Sequence, residues 1–254
     1  MARADLLGAF NAELQPECFT DYGPNGLQVQ GRERIGKIVS GVTASRALIE
    51  AAIAADADAL FVHHGLFWRG QDGTITGWLK QRLRLLLAHD INLFAYHLPL
   101  DAHPTLGNNA QLGRVLGLQA QRQFGEQNLC FLGAPRNGQG FADVNALQNH
   151  LSAALGRPVL AIAPAANATG PIQTLAWCSG GGQGQFEAAI AAGAQAFITG
   201  EISEAQTHLA RECGVAFFAC GHHATERYGA PALAAHVAAR HNLAHQFIDI
   251  DNPA

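Results

Sequence analysis

A stretch of sixteen residues occurs twice in the chain. Residues 49–64 read IEAAIAADADALFVHH and residues 186–201 read FEAAIAAGAQAFITGE, a constant 137 positions apart, with Glu50 to Ala55 returning as Glu187 to Ala192. Self-similarity at a fixed offset restricts the fold to a duplicated unit. Each copy follows a short β-type run, Lys37–Val42 in the first and Thr174–Cys178 in the second. A looser match, Leu87–Tyr96 against Leu209–Phe218, follows each copy. Ala-rich helical segments alternating with short apolar runs are the pattern of βαβ units. The expected fold is therefore α/β: two pseudo-symmetric three-layer halves with mostly parallel sheets and a metal site between them.

Three regions are expected within one compact chain. Residues 1–125 form the first half, opened by a helix with Leu6, Leu7, Phe10 and Leu14 on one face. Residues 126–170 form a small connecting unit of strand (Leu129–Ala134), helix (Asp143–Leu155) and strand (Arg157–Ala163). Gly133, Pro135, Gly138 and Gly140 punctuate one side of it, Pro164, Gly170 and Pro171 the other. Residues 171–254 form the second half, with a helix starting at Pro231 and a final strand at Gln246–Ile250.

Composition narrows the function classes. With 48% hydrophobic and 14% charged residues, the 254-residue chain carries enough apolar side chains for a sizeable core and is no disordered segment. The net charge is −4, and only Lys37 and Lys80 among the 16 cationic residues are lysines. Without a basic run, a broad nucleic-acid surface is disfavoured. Five cysteines, odd in number and without a CxxC, argue against a disulfide framework or zinc finger and for reduced thiols in the cytoplasm. The start of the chain does not read as a signal peptide, and no apolar run is long enough to span a membrane.

Six of the twelve histidines fall in three short clusters at the expected carboxyl ends of strands, where parallel sheets place their ligands. His63-His64 would point to opposite faces of a strand unless the chain turns there. They are metal ligands or a surface and capping pair. Asp101, two residues after Pro99, either presents a carboxylate to the same cleft or caps a helix. His222 and Glu226, four apart, share a helix face and either chelate an ion or form a surface ion pair. Three imidazoles and two carboxylates exceed one closed tetrahedral site. Taken together they suit two divalent ions bridged by a carboxylate and a water, about 3.5–4 Å apart. Nitrogen and oxygen ligation without thiolate suits Zn, Mn, Fe, Co or Ni.

Several further residues have more than one reading. Glu201, the repeat partner of His64, is a general base or an acceptor behind a ligand; equally it is a carboxylate near a helix start. His97 moves protons, orients a ligand, or is a satisfied core histidine. The loop Ser179–Gly184 exposes backbone N–H groups before a helix, so Gly180, Gly181 and Gly182 hold an anionic group such as phosphate or make a plain tight turn.

The segments Asp21-Tyr-Gly-Pro-Asn-Gly-Leu-Gln28, Val62-His-His-Gly65, His97-Leu-Pro-Leu-Asp101, Gly107-Asn-Asn109, Ser179-Gly-Gly-Gly182, Ile198-Thr-Gly-Glu201 and Gly221-His-His-Ala-Thr-Glu226 resemble those of the GTP cyclohydrolase I type 2 homologue family, the Nif-three-like proteins. The resemblance covers essentially the whole chain. It implies two similar α/β domains, a toroidal homohexamer, and metal pairs facing an internal cavity. It implies as metal ligands His63, His64, Asp101, His222 and Glu226, two divalent ions per subunit. It also implies hydrolytic opening of the guanine imidazole ring of GTP with loss of formate. The expected function is a dinuclear-metal-dependent hydrolase acting on a nucleotide or related heterocycle through a metal-bridging hydroxide, with Glu201 or His97 shuttling the proton. Arg69 and Arg227 are further candidates to hold phosphate. The alternative is a non-catalytic metal-binding hexamer or protein-interaction adaptor.

Overall fold

A computed structural model describes residues 1–165 and 171–254. The chain forms two compact units: Met1–Gly107 with Gly229–Asp251, and Asn108–Tyr228 with Asn252–Ala254.

The first unit begins with helix α1 (Arg3–Leu14) and strands β1 (Gly26–Val29) and β2 (Lys37–Thr43). Helix α2 (Arg46–Ala54), capped by the Ser45 hydroxyl, leads into β3 (Ala59–His64). Helix α3 (Gly77–Ala88), β4 (Asn92–Ala95) and the short helix α4 (Leu98–Ala102) follow.

The second unit contains α5 (Asn108–Val115), β5 (Leu118–Phe124), β6 (Cys130–Pro135), α6 (Val144–Leu155) and β7 (Leu160–Ile162). Next come β8 (Leu175–Trp177), α7 (Phe186–Ala191) and β9 (Ala196–Thr199). It ends with α8 (Glu204–Cys213), β10 (Ala216–Ala219) and α9 (His222–Glu226). The chain then returns to the first unit with α10 (Gly229–Arg240) and β11 (Ala244–Phe247).

Each unit is a three-layer sandwich, as the repeat requires. The first sheet runs β1-β4-β3-β2-β11, parallel except for the β1–β4 pair. Period-two alternation on β3 sends Phe61 toward α1 and α10, and Leu60 and Val62 toward α2 and α3. Both faces are therefore buried, and the strand reads as a continuous apolar run. Phe10 from α1 packs against Phe61, Phe94 and Tyr96 at centroid distances of 4.6, 5.5 and 6.0 Å. Burial of such a ring contributes about 1.5–3 kcal/mol and anchors β3 and β4 beneath the residues that follow them.

The second sheet runs β5-β6-β8-β9-β10-β7. The duplicated core is β8-α7-β9, with β8–β9 and β9–β10 parallel. Here the expectation of a mostly parallel sheet fails, because β5–β6, β6–β8 and β7–β10 are antiparallel. The connecting unit expected at 126–170 is likewise, over its described residues 126–165, no separate unit. Strand β6 pairs with both β5 and β8, β7 forms the edge beside β10, and α6 contributes Leu147, Leu151 and Leu155 to the core of that sheet. A strand–helix–strand of this length has too little core of its own and buries its apolar face by extending an existing sheet. The first half ends near Gly107 rather than 125, and α10 and β11 belong to it rather than to the second half. Leu233, Ala234 and Val237 of α10 complete the same apolar face as α1. Gly170, expected to mark a boundary, lies outside the described residues. Among the described residues no helix is long and apolar enough to cross a membrane.

Candidate metal centre

In the first unit the candidate residues lie at the carboxyl ends of β3 and β4. His63 and His64 close β3, and although neighbours on a strand their ring centroids are only 4.4 Å apart. His97 follows β4, with its centroid 4.9 Å from His63 and 5.7 Å from His64. Ring nitrogens of these three residues lie within 4.8 Å of one another. Asp101, on α4, is buried, and its Oδ1 lies 3.6 Å from His63 Nε2.

The hydrogen bonds behind these rings define what they present. The Tyr96 carbonyl lies 3.1 Å from His63 Nδ1. A carbonyl only accepts, so Nδ1 carries a hydrogen, and in its neutral form the ring turns an Nε2 lone pair toward the Asp101 carboxylate. Two electron-rich atoms at that distance call for a cation or a proton between them, and the donor set fits a divalent metal ion. His64 Nδ1 lies 3.1 Å from Thr43 Oγ1 on the adjacent strand. His97 Nδ1 lies 2.7 Å from Asp21 Oδ1. The Trp68 ring stands edge-on to His97 at 5.0 Å and 90°.

In the second unit His222 and Glu226 occupy α9, where four-residue spacing brings Nε2 within 3.1 Å of Glu226 Oε2. Glu226 is buried, while His222 is partly open. Glu201, just after β9, accepts from His222 Nδ1 at 2.6 Å. The imidazolium is stabilised up to about 9: the Glu226 hydrogen bond is the leading cause, burial opposes it, and the Glu226 charge and the Glu201 bond and charge add to it. A site that favours a proton this strongly between two carboxylates offers the same electrostatics to a metal cation.

The glycine loop is shaped by that pair. Gly180 has φ +62°, and a Cβ there would overlap Glu226 Oε1 and come within 3.0 Å of His222 Nε2. The Gly180 N–H donates to Thr225 Oγ1 at 2.9 Å. At Gly182 a Cβ would meet Cys178 and Thr199 at 2.8 Å. Close packing thus explains Gly180 and Gly182 without an anion. Gly181 has ordinary clearance, 3.8 Å to Glu201 and His222. Burial pushes the Cys220 thiol up to about 12 despite the opposing charge of Arg157, so it offers no thiolate.

The sequence comparisons complete the site's context. The family model described as Duf34/NIF3 (NGG1p interacting factor 3) matches residues 1–253. The chain belongs to the DUF34/NIF3 family. A Neisseria meningitidis serogroup B protein named GTP cyclohydrolase 1 type 2 homolog is 52% identical over 250 residues, covering 98% of each chain. The solved structure of protein ybgI, described as of unknown function, superimposes with a TM-score of 0.93 at 45% identity, covering 100% of both chains. A Thermus thermophilus protein superimposes with a TM-score of 0.87 at 33% identity, again over both entire chains. Family membership thus agrees with the resemblance carried by the motifs.

Glu201 occupies the position of an acceptor behind His222, one of the three roles considered for it. His97 stands beside the His63–His64 pair. Arg69 Nη2 donates to the Asp21 carbonyl at 2.7 Å, and Arg227 Nη2 to the Leu155 carbonyl at 3.4 Å. The residue that sequence reasoning left without a role is Asp21. Its signal was an aspartate opening the turn-forming run Asp21-Tyr-Gly-Pro-Asn25. Nothing local, however, connects that turn to a histidine 76 positions away.

Proposed function

We propose that the chain is a divalent-metal-dependent hydrolase-like protein acting on a nucleotide or related heterocycle. Its ligands are His63, His64 and Asp101 in the first unit and His222 and Glu226 in the second, for two ions of the Zn, Mn, Fe, Co or Ni class. The observation that supports this most is a pair of buried carboxylates, each facing an imidazole Nε2. Asp101 faces His63 at 3.6 Å and Glu226 faces His222 at 3.1 Å. Buried acids aimed at imidazole nitrogens that follow strand ends are costly unless a cation joins them.

A bound divalent ion would supply a water acidified toward neutrality. The chain's own groups do the rest. Glu201 holds the His222 ring so that Nε2 faces Glu226. His97 takes the proton released when water adds to a ring carbon of the substrate, such as the one between two imidazole nitrogens. Arg69, beside the Asp21 loop, and the open face of Gly181 are the groups offered to phosphate. The names of the relatives, GTP cyclohydrolase 1 type 2 homolog, make GTP the first substrate to test.

The experiment is elemental analysis of protein purified without chelator or affinity metal, followed by assay against GTP and a nucleotide panel. Two equivalents of divalent metal and turnover lost in His64→Ala are expected. Metal-free protein, or turnover equal to that of His64→Ala, overturns the reading. The same proposal includes a cytoplasmic homohexamer, checked by light scattering in solution.

The family description as an interacting factor favours a second reading, a non-catalytic metal-binding hexamer or adaptor. Partners that remain bound to a His64→Ala, His222→Ala double variant would select it.

A further inference from the structure

We propose that Asp21 is a positioning residue: it locks His97 in the tautomer whose free lone pair is on Nε2, and so makes that ring a proton acceptor of defined direction. The inference rests on the hydrolytic reading of the site, but its decisive measurement does not.

The geometry assigns every hydrogen. Asp21 Oδ1 accepts from the Tyr22 N–H at 2.6 Å, and Oδ2 from Asn25 Nδ2 at 2.9 Å and from the Leu98 N–H at 2.9 Å. The orientation of Asn25 is itself determined, because its Oδ1 accepts the His97 backbone N–H at 2.7 Å. With three N–H donors on its two oxygens, Asp21 serves as an acceptor and has no direction in which to donate. Its fourth partner, His97 Nδ1 at 2.7 Å, must therefore donate as well. The neutral ring is left with its lone pair on Nε2.

The ring is also held in place mechanically. Trp68 stands edge-on to it at 5.0 Å, and the backbone on either side is tied to Asn25 and Asp21. A carboxylate on Nδ1 that sets the tautomer and aims the Nε2 lone pair is the arrangement a proton-accepting histidine requires. The second unit builds the same pairing by other means, with Glu201 on His222 Nδ1. There the Nε2 faces Glu226; on His97 no such acid shares the ring, among the described residues.

The test is 15N spectroscopy of histidine-labelled, metal-free protein, with the His97 signal assigned through His97→Gln. Wild type is expected to show neutral His97 protonated on Nδ1. Asp21→Asn should convert this to a mixture of tautomers. It should also lower kcat by about 100-fold, with KM and metal content little changed, as expected when a general acid–base is misdirected. Asp21→Glu should restore part of the Nδ1–H signal. Asn25→Ala loosens the same loop while leaving the Asp21–His97 bond, and should keep the wild-type tautomer. That separates positioning from mere loop integrity. An Nε2–H tautomer in the wild type, or an unmoved tautomer in Asp21→Asn, overturns the proposal. Absence of turnover by the metal-loaded wild type overturns the hydrolytic reading instead and leaves the tautomer result to stand on its own.

Discussion

His222 is held between two carboxylates, its Nδ1 2.6 Å from Glu201 Oε1 and its Nε2 3.1 Å from Glu226 Oε2. The two acids do different work. Glu226 shares the helix and the buried side of the ring, whereas Glu201 approaches from the end of β9 and fixes the ring's rotation. Glu201→Gln should therefore keep the fold and weaken divalent-metal affinity by about 10–100-fold, the usual cost of losing a partner behind a ligating histidine. Titration calorimetry with Zn²⁺ and Mn²⁺ measures it; unchanged affinity would reduce Glu201 to a surface acid.

Gly180 gives a stability prediction. Its φ of +62° and the Glu226 oxygen occupying its Cβ position both oppose any side chain. Gly180→Ala should cost about 1–3 kcal/mol through backbone strain and displacement of the acid. Gly184→Ala, where a Cβ meets nothing within 4 Å and φ is not positive, should fall within about 0.5 kcal/mol of wild type. Chemical denaturation of the two variants checks the contrast.

Much of this was legible in the sequence, and the gaps have physical causes. The duplicated segment at 49–64 and 186–201 located β3, β9 and their preceding helices, because period-two and helical patterning in buried elements is strong. Strand β5 escaped because its residues 119–122 are all exposed and all but Ala120 are polar, as befits an edge strand. The assignment of α10 and β11 to the first unit escaped because apolar patterning shows that a face is buried, not which sheet buries it. At the site, spacing alone joined His222 to Glu226. The Asp21–His97 and Glu201–His222 bonds span 76 and 21 positions and exist only once the sheets form.

Asp21 also sets an acid limit. Burial alone would raise its pKa, but the His97 hydrogen bond and charge outweigh that, together with bonds from Asn25 and Leu98, and hold it at about 2. A depressed folded-state value stabilises the protein above the unfolded value of about 4 and is lost as pH falls through about 2. Asp21→Asn should therefore lose about 1–2 kcal/mol at pH 6, discounted for partial solvent screening, and nothing further between pH 4 and 2, where the wild type loses it. Parallel acid titrations monitored by circular dichroism test the sign; curves of equal slope in that window would contradict it.

The support beneath the first cluster predicts how core damage reaches the site. Phe10 is fully buried against Phe61, Phe94 and Tyr96, and Tyr96 is tied to α1 through its hydroxyl on Asn11 Oδ1 at 2.6 Å. The Tyr96 carbonyl in turn fixes the His63 tautomer. Phe10→Ala should cost about 3–5 kcal/mol by opening a cavity between α1 and the sheet. The ring next to Tyr96 disappears, so the carbonyl that holds His63 Nδ1 loses its backing. Metal retention should fall in this variant even at temperatures where it remains folded. Phe186→Ala, an equally buried ring in the second unit, should cost similar stability. It should leave the His63 signals in a histidine-labelled spectrum unmoved, because α7 packs in the other unit's core. Matched stability losses with His63 signals displaced only by Phe10→Ala would establish that α1 supports the imidazole cluster; equal displacement by both variants would show a general loosening.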